Sequence, residues 1–94
     1  MNKVKKRFHI VVHGRVQGVG FRYYTQQQAS HHNIVGWVRN NPDETVEMDI
    51  QGEFPEAESF ISAIEKGSPY SYVEKVDRKE MADLKDYNSF HITH

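Results

Sequence analysis

Ninety-four residues make one small domain, and a chain of that length buries roughly 60 to 70% of its unfolded surface, enough for one core shared by a few elements. Twelve basic and thirteen acidic residues leave a net charge of -1, which argues against a general nucleic-acid binder and requires any anion site to be local. With no cysteine, disulfides, thiolate metal sites and thiol catalysis are excluded.

Met1 to Arg7 is basic, yet the apolar run behind it is short and is broken by His9 and His13, so neither a signal peptide nor a membrane span is expected. A soluble, cytoplasmic protein is the default. No internal repeat, low-complexity segment or long linker divides residues 1–94, which read as a single domain. Phe8, Ile10 and Val12 alternate with His9, Val11 and His13, a period of two that predicts a first strand with one apolar face.

The stretch Gly14 to Arg22 comes next. Gly14, Gly18 and Gly20 fall close together, with Arg15 near one end and Arg22 at the other. Glycine holds positive φ and lets a ligand approach the main chain, so successive N–H groups here can point into one concavity and receive an anion. A guanidinium adds a fixed fork of donors suited to phosphate. The competing reading is an ordinary strand-to-helix connection whose glycines only relieve strain. Two nucleotide motifs are excluded by spacing: no Gly-Lys-Ser/Thr follows Gly14, and Tyr23 stands where a dinucleotide fingerprint needs a third glycine.

From Phe21 to about His32 the spacing predicts a helix, with Phe21, Tyr24 and Gln28, flanked by Thr25 and Ala29, as a modest apolar stripe. Arg22 then falls in its first turn, where a cation opposes the helix dipole. The placement makes sense if an anion binds between Arg22 and the free N–H groups. Ile34 to Asn40 predicts a second strand, with Gly36, Val38 and Asn40 on one face and Val35, Trp37 and Arg39 on the other. Asn41-Pro42-Asp43-Glu44 forms a turn with Pro42 at its second position, and Thr45 to Gln51 returns as a strand, Val46, Met48 and Ile50 opposite Glu47, Asp49 and Gln51.

Pro55 suits a first helical turn, Glu56 and Glu58 suit the dipole, and Ala57, Phe60, Ile61 and Ile64 keep helical spacing up to Lys66 and a terminating Gly67. Ser68-Pro69-Tyr70 turns the chain, Val73 to about Arg78 is a weaker strand, and Phe90 with Ile92 suggests a short last one. The fold class is therefore α+β: a ferredoxin-like two-layer sandwich, βαββαβ with a short extra C-terminal strand, two helices covering one face of an antiparallel sheet. Topology alone says little about activity.

Read together, Gly14 to Arg22 and Gly36-Trp37-Val38-Arg39-Asn40 resemble the two signature segments of the acylphosphatase family. The resemblance continues through Gln51-Gly52, Gly67-Ser68-Pro69 and Ser89-Phe90-His91-Ile92, in one register over nearly the whole chain. It implies hydrolysis of acyl phosphates to carboxylate and inorganic phosphate without metal or cofactor. Arg22 takes the position of the family's phosphate-binding arginine and Asn40 that of the asparagine that orients the attacking water. The backbone N–H groups of Arg15, Val16, Gln17, Gly18, Val19 and Gly20 form the phosphate cradle. Inorganic phosphate, the product, is expected to compete with substrate.

Glu44 departs from the family, which often has glycine in that turn. Asn41 is assigned to initiating the turn, and the Arg15 and Arg39 side chains to the surface. Trp37, Tyr23 and Tyr24 read as core or pocket wall. No spacing among the six histidines resembles a metal site. Two other readings compete. An RNA-binding module of the same topology would need aromatic residues on Thr45 to Gln51, which has none. A phosphate-binding domain detached from a larger carbamoyl-phosphate-handling protein would need a partner. The default is an independent, monomeric enzyme, with no nucleic acid or membrane as partner.

Overall fold

The computed structural model describes residues 4–94, so the first three residues of the basic N-terminal stretch lie outside it. Seven elements follow in order: β1 (Lys5–Arg15), α1 (Phe21–His31), β2 (Val35–Asn40), β3 (Val46–Glu53), α2 (Phe54–Lys66), β4 (Tyr72–Met81) and β5 (Phe90–Ile92). They form a five-stranded sheet in the order β4-β1-β3-β2-β5, the ferredoxin-like arrangement expected. One detail of the expectation is corrected. β5 runs parallel to β2, so the sheet is mixed and not wholly antiparallel. A strand that follows β4 through residues 82–89 crosses the sheet before joining the far edge, and that crossing sets its direction.

β1 is longer than its apolar core predicts because it is paired on both sides, with β3 and with β4, and the two ladders carry the polar residues Lys5 to Arg7 and His13 to Arg15 in strand conformation. Next to its end the register slips: His13 pairs with Lys75 and Gly14 with Val73, so Glu74 is bulged out. Gly14 lies at φ 129°, and a Cβ there would stand 2.1 Å from the Tyr72 carbonyl oxygen, so only glycine fits.

Phe8, Ile10 and Val12 of β1, Val38 of β2 and Val46, Met48 and Ile50 of β3 face the helices. Phe21, Thr25 and Ala29 of α1 and Ala57, Phe60, Ile61 and Ile64 of α2 pack onto them. Phe60 is completely buried, and truncating such a ring costs about 3–5 kcal/mol. Thr25 is buried with them because its hydroxyl donates to the Phe21 carbonyl at 2.9 Å. Tyr24 sits at the edge of the stripe, and its hydroxyl donates to the Ala63 carbonyl at 2.8 Å, tying the helices together. Burial pushes that phenol's pKa up.

The opposite face of the sheet is less open than the alternation implied. Asp49 and Gln51 are buried because residues 83–87 lie across them. Gln51 donates to the Lys85 carbonyl at 2.9 Å and accepts from the Lys85 N–H at 2.8 Å. Nη1 of Arg7 donates to both Asp49 oxygens at 2.9 and 2.8 Å, and Nη2 reaches Asp83 at 2.9 Å. The Tyr87 hydroxyl donates to Asp49. In the β2–β3 turn the Glu44 N–H donates to the Asn41 carbonyl at 3.2 Å, with Pro42 at the second position as expected. Glu44 itself lies at φ 74°, where glycine would be unstrained.

Candidate active site

The end of β1, the start of α1 and the ends of β2 and β5 meet at one end of the sheet. The loop from β1 to α1 is pinned from beneath: the Val16 side chain is buried, and Val19 packs against the core. Its glycines point the other way. Gly18 at φ 73° and Gly20 at φ 76° are left-handed, with open space where a Cβ would be. Alternation of that kind turns successive N–H groups toward one side. Gly20 is also the N-cap of α1, with no side-chain cap and no acidic residue in the first turn. The helix's first N–H groups therefore keep their partial positive charge unopposed.

Arg22 and Asn40, assigned to one chemistry from two separate segments, line the same cavity of about 300 Å³ with Val16, Gly18, Gly20, Phe21, Tyr23, Ile92 and His94. Among the described residues the Arg22 guanidinium meets no carboxylate. Its Nη1 lies 3.5 Å from the Thr93 carbonyl oxygen and 3.3 Å from Nδ1 of His94. The Asn40 side-chain oxygen is buried and has no hydrogen-bond partner within the described chain. A buried acceptor left unmatched costs about 1–3 kcal/mol, so its retention calls for a reason.

Of the six residues expected to form a phosphate cradle, Val16, Gly18 and Gly20 border this cavity, and Val19 falls between Gly18 and Gly20 in the chain. Arg15 and Gln17 border a second hollow on the other side of the loop with Gly14, Glu44 and Glu74, and the Arg15 side chain is exposed as expected. Gln17 has a role its sequence did not reveal. Its amide donates at 2.8 Å to both the Asn41 and the Thr45 carbonyls, stitching the loop to the turn that follows Asn40. Asn41 supports the same turn by donating to the Thr45 hydroxyl at 3.0 Å. Asp43 accepts from that hydroxyl and from the Thr45 N–H, which hold its carboxyl below the usual range.

The remaining assignments fall as follows. Tyr23 is pocket wall though mostly exposed, Tyr24 bridges the helices, and Trp37 lies on the far face of the sheet, under the Arg39 guanidinium at 5.2 Å. Ile92, Thr93 and His94 were missed as site residues. The only available signal was that Phe90 and Ile92 form a strand, because which strand they join is a long-range matter. A cavity of similar size at the other end of the strands, lined by Lys5, Asn33, Gln51, Glu53, Glu56 and Tyr87, sets one ammonium against two carboxylates and is the poorer anion site. No group of three or more His, Asp or Glu among the described residues converges as metal ligands.

The sequence profile of the acylphosphatase family matches residues 8–92. An acylphosphatase of Bacillus licheniformis is 44% identical over 88 residues, spanning 94% of this chain and 98% of that relative. The crystal structure of acylphosphatase from Bacillus subtilis superimposes with a TM-score of 0.92 at 38% identity, over 95% of this chain and 99% of that one. The fold recurs inside a much longer protein, full-length HypF in a phosphate- and nucleotide-bound form, with a TM-score of 0.90 and 29% identity over all of this chain but 12% of that one. A match along nearly the full length of independent relatives, joined to the glycine loop and the arginine behind it, places this chain in the acylphosphatase family, as a hydrolase acting on acyl phosphates.

Proposed function

We propose that Arg22 and the backbone N–H groups of Arg15 to Gly20 hold the phosphoryl group of an acyl phosphate, and that Asn40 orients the water that attacks it. An acyl phosphate has a good carboxylate leaving group, so catalysis reduces to placing water in line with phosphorus and stabilising charge on the phosphoryl oxygens. The water oxygen bonds to phosphorus as the bond from phosphorus to the acyl oxygen breaks. The carboxylate departs with that electron pair, one of the water's protons stays on the new hydroxyl, and the other passes to a phosphoryl oxygen, giving dihydrogen phosphate. Asn40 has an acceptor and a donor but cannot take the proton at neutral pH, which leaves the substrate as the receiver.

The observation that carries this reading is the conjunction in one cavity of an unopposed guanidinium and a buried, unmatched amide oxygen. Residues 1–94 are taken as one catalytic unit that acts as a soluble monomer without metal, and inorganic phosphate as its competitive inhibitor. The test is hydrolysis of a simple aromatic acyl phosphate in chelator by the native protein, Arg22→Ala and Asn40→Ala, each checked by thermal melt. Each variant is expected to lose about a hundredfold or more in kcat with its fold intact, the scale of one lost transition-state donor, roughly 3 kcal/mol. An Asn40→Ala protein that keeps its turnover sinks the water-orienting role. A folded native protein without turnover points instead to a partner-dependent phosphate-binding domain, the arrangement suggested by the likeness to a small part of HypF.

A further inference from the structure

The cavity beside Arg22 has a closed end and an open one. Asn40 keeps its side-chain oxygen buried, whereas Tyr23, one residue past Arg22 in the first turn of α1, is 61% exposed and stands where the cavity meets solvent. Tyr70 and Tyr72 are as open to solvent, but neither borders this cavity. The Tyr23 ring is also held in place. Gln27, four residues on along the helix, donates from its Nε2 to the Tyr23 hydroxyl at 3.2 Å, fixing the ring by its tip. The other apolar residues of the border offer less surface: Val16 and Phe21 are each 1% exposed, and Ile92 is partly buried against the core.

The direction of the reaction decides which part of the substrate meets that ring. In an in-line displacement the attacking water and the leaving oxygen lie on opposite sides of phosphorus. With water at the buried Asn40 end, the acyl oxygen points to the open end, and the acyl group lies at the rim instead of in the core. We propose that Tyr23 is a specificity-determining residue of this site: its ring is the wall against which the acyl group lies, so that acyl phosphates with an aromatic acyl group are preferred to those with an acetyl-sized one. Two aromatic rings in contact gain up to about 1.5 kcal/mol beyond the area they bury, roughly tenfold in binding, and a methyl group covers too little of the tyrosine to share that gain. The contact exists before the P–O bond breaks and persists while it breaks, so it acts on KM and leaves kcat alone. This inference rests on the phosphoryl-site reading above, which sets where phosphorus and water stand.

The experiment measures kcat and KM for benzoyl phosphate and for acetyl phosphate, in chelator, with the native protein, Tyr23→Phe and Tyr23→Ala, each checked by thermal melt and each also inhibited with inorganic phosphate. Comparing proteins on one substrate cancels the different reactivities of the two anhydrides. Tyr23→Ala is expected to lose about tenfold in kcat/KM for benzoyl phosphate, through KM, and to change by less than about twofold with acetyl phosphate. Tyr23→Phe keeps the ring and should keep most of the preference. Inhibition by inorganic phosphate should be the same in all three, because phosphate has no acyl group to lay on the ring. Equal losses on the two substrates, or an unchanged KM for benzoyl phosphate in Tyr23→Ala, overturn the role of Tyr23, while native turnover leaves the phosphoryl site standing. A folded native protein that turns over neither substrate overturns the phosphoryl-site reading, and this inference with it.

Discussion

Arg7 and Arg22 carry the same guanidinium and are handled in opposite ways by one fold. Arg7 is 6% exposed and every one of its nitrogens has a partner: Nη1 takes both oxygens of Asp49, Nε the carbonyl of Asp83 and Nη2 its side chain. Arg22, at the start of a helix that already presents unpaired N–H groups, finds among the described residues only a carbonyl and an imidazole nitrogen as hydrogen-bond partners. The first arrangement spends its charge on holding residues 83–87 to the sheet. The second, on the function proposed here, keeps its charge for something that is not part of the chain. A charge matched inside the molecule contributes to stability, whereas one left unmatched beside a glycine-rich loop is available for binding and chemistry.

The sharpest way to break that contrast is Arg7→Ala. It leaves Asp49 buried without its ion partner, an expected loss of about 3–5 kcal/mol read by urea unfolding. Turnover per folded molecule should be unchanged at a temperature where the variant is still native. A loss of kcat in the folded variant would mean that the two arginine regions are coupled.

Gln17→Met probes the seam between loop and turn. It removes both 2.8 Å bonds to the Asn41 and Thr45 carbonyls while keeping the side chain's length. If Gln17 fixes Asn40 relative to the phosphate, kcat should fall about thirtyfold, at roughly 1 kcal/mol for each of the two lost bonds, while inhibition by inorganic phosphate changes little because the proposed cradle N–H groups remain. Equal weakening of both would show that the loop itself had moved.

The smallest expected effect concerns pH. Hydrogen bonds from Arg7 hold the Asp83 carboxyl below its ordinary range. Burial pushes Glu47 up, but the bonds from Arg39 and His9 outweigh it, so its pKa is also lowered. Groups with depressed folded pKa values stabilise the fold above their unfolded values, near 3.9 for Asp and 4.3 for Glu, and that contribution disappears as pH falls through the lower folded values. Melting temperature should therefore hold from pH 7 to about 5 and drop below about 4, with Asp83→Asn showing a shallower drop. An identical acid profile in Asp83→Asn would remove Asp83 from the account.

What could be read from the sequence was what is written locally. The helical spacing of Ala57, Phe60, Ile61 and Ile64, the alternation of Val46, Met48 and Ile50, and the glycines before Arg22 each dictate their own surroundings. Asn40 and Arg22 became one site only through the family resemblance, since nothing in their spacing says that β2 ends beside α1. Residues 82–89 were silent because they have no period, and the burial of Asp49 and Gln51 followed from that silence. Alternation tells which face a side chain occupies, not what lies on top of it. The same limit hid Gln17, whose two acceptors lie more than twenty residues away, and His94, whose position depends on β5 joining β2 in parallel.

That parallel addition also decides how the molecule meets its own copies. With β5 laid along β2, one border of the sheet is shortened to a few residues, and the long remaining border is the outer side of β4. Unpaired strand borders are templates for unwanted association, and charge along them is the usual defence. β4 carries Glu74, Lys75, Asp77, Arg78, Lys79 and Glu80 almost without interruption, a run that made it the least legible strand in the sequence. The same charges that weaken its reading as a strand are the kind that guard an open border against a second sheet.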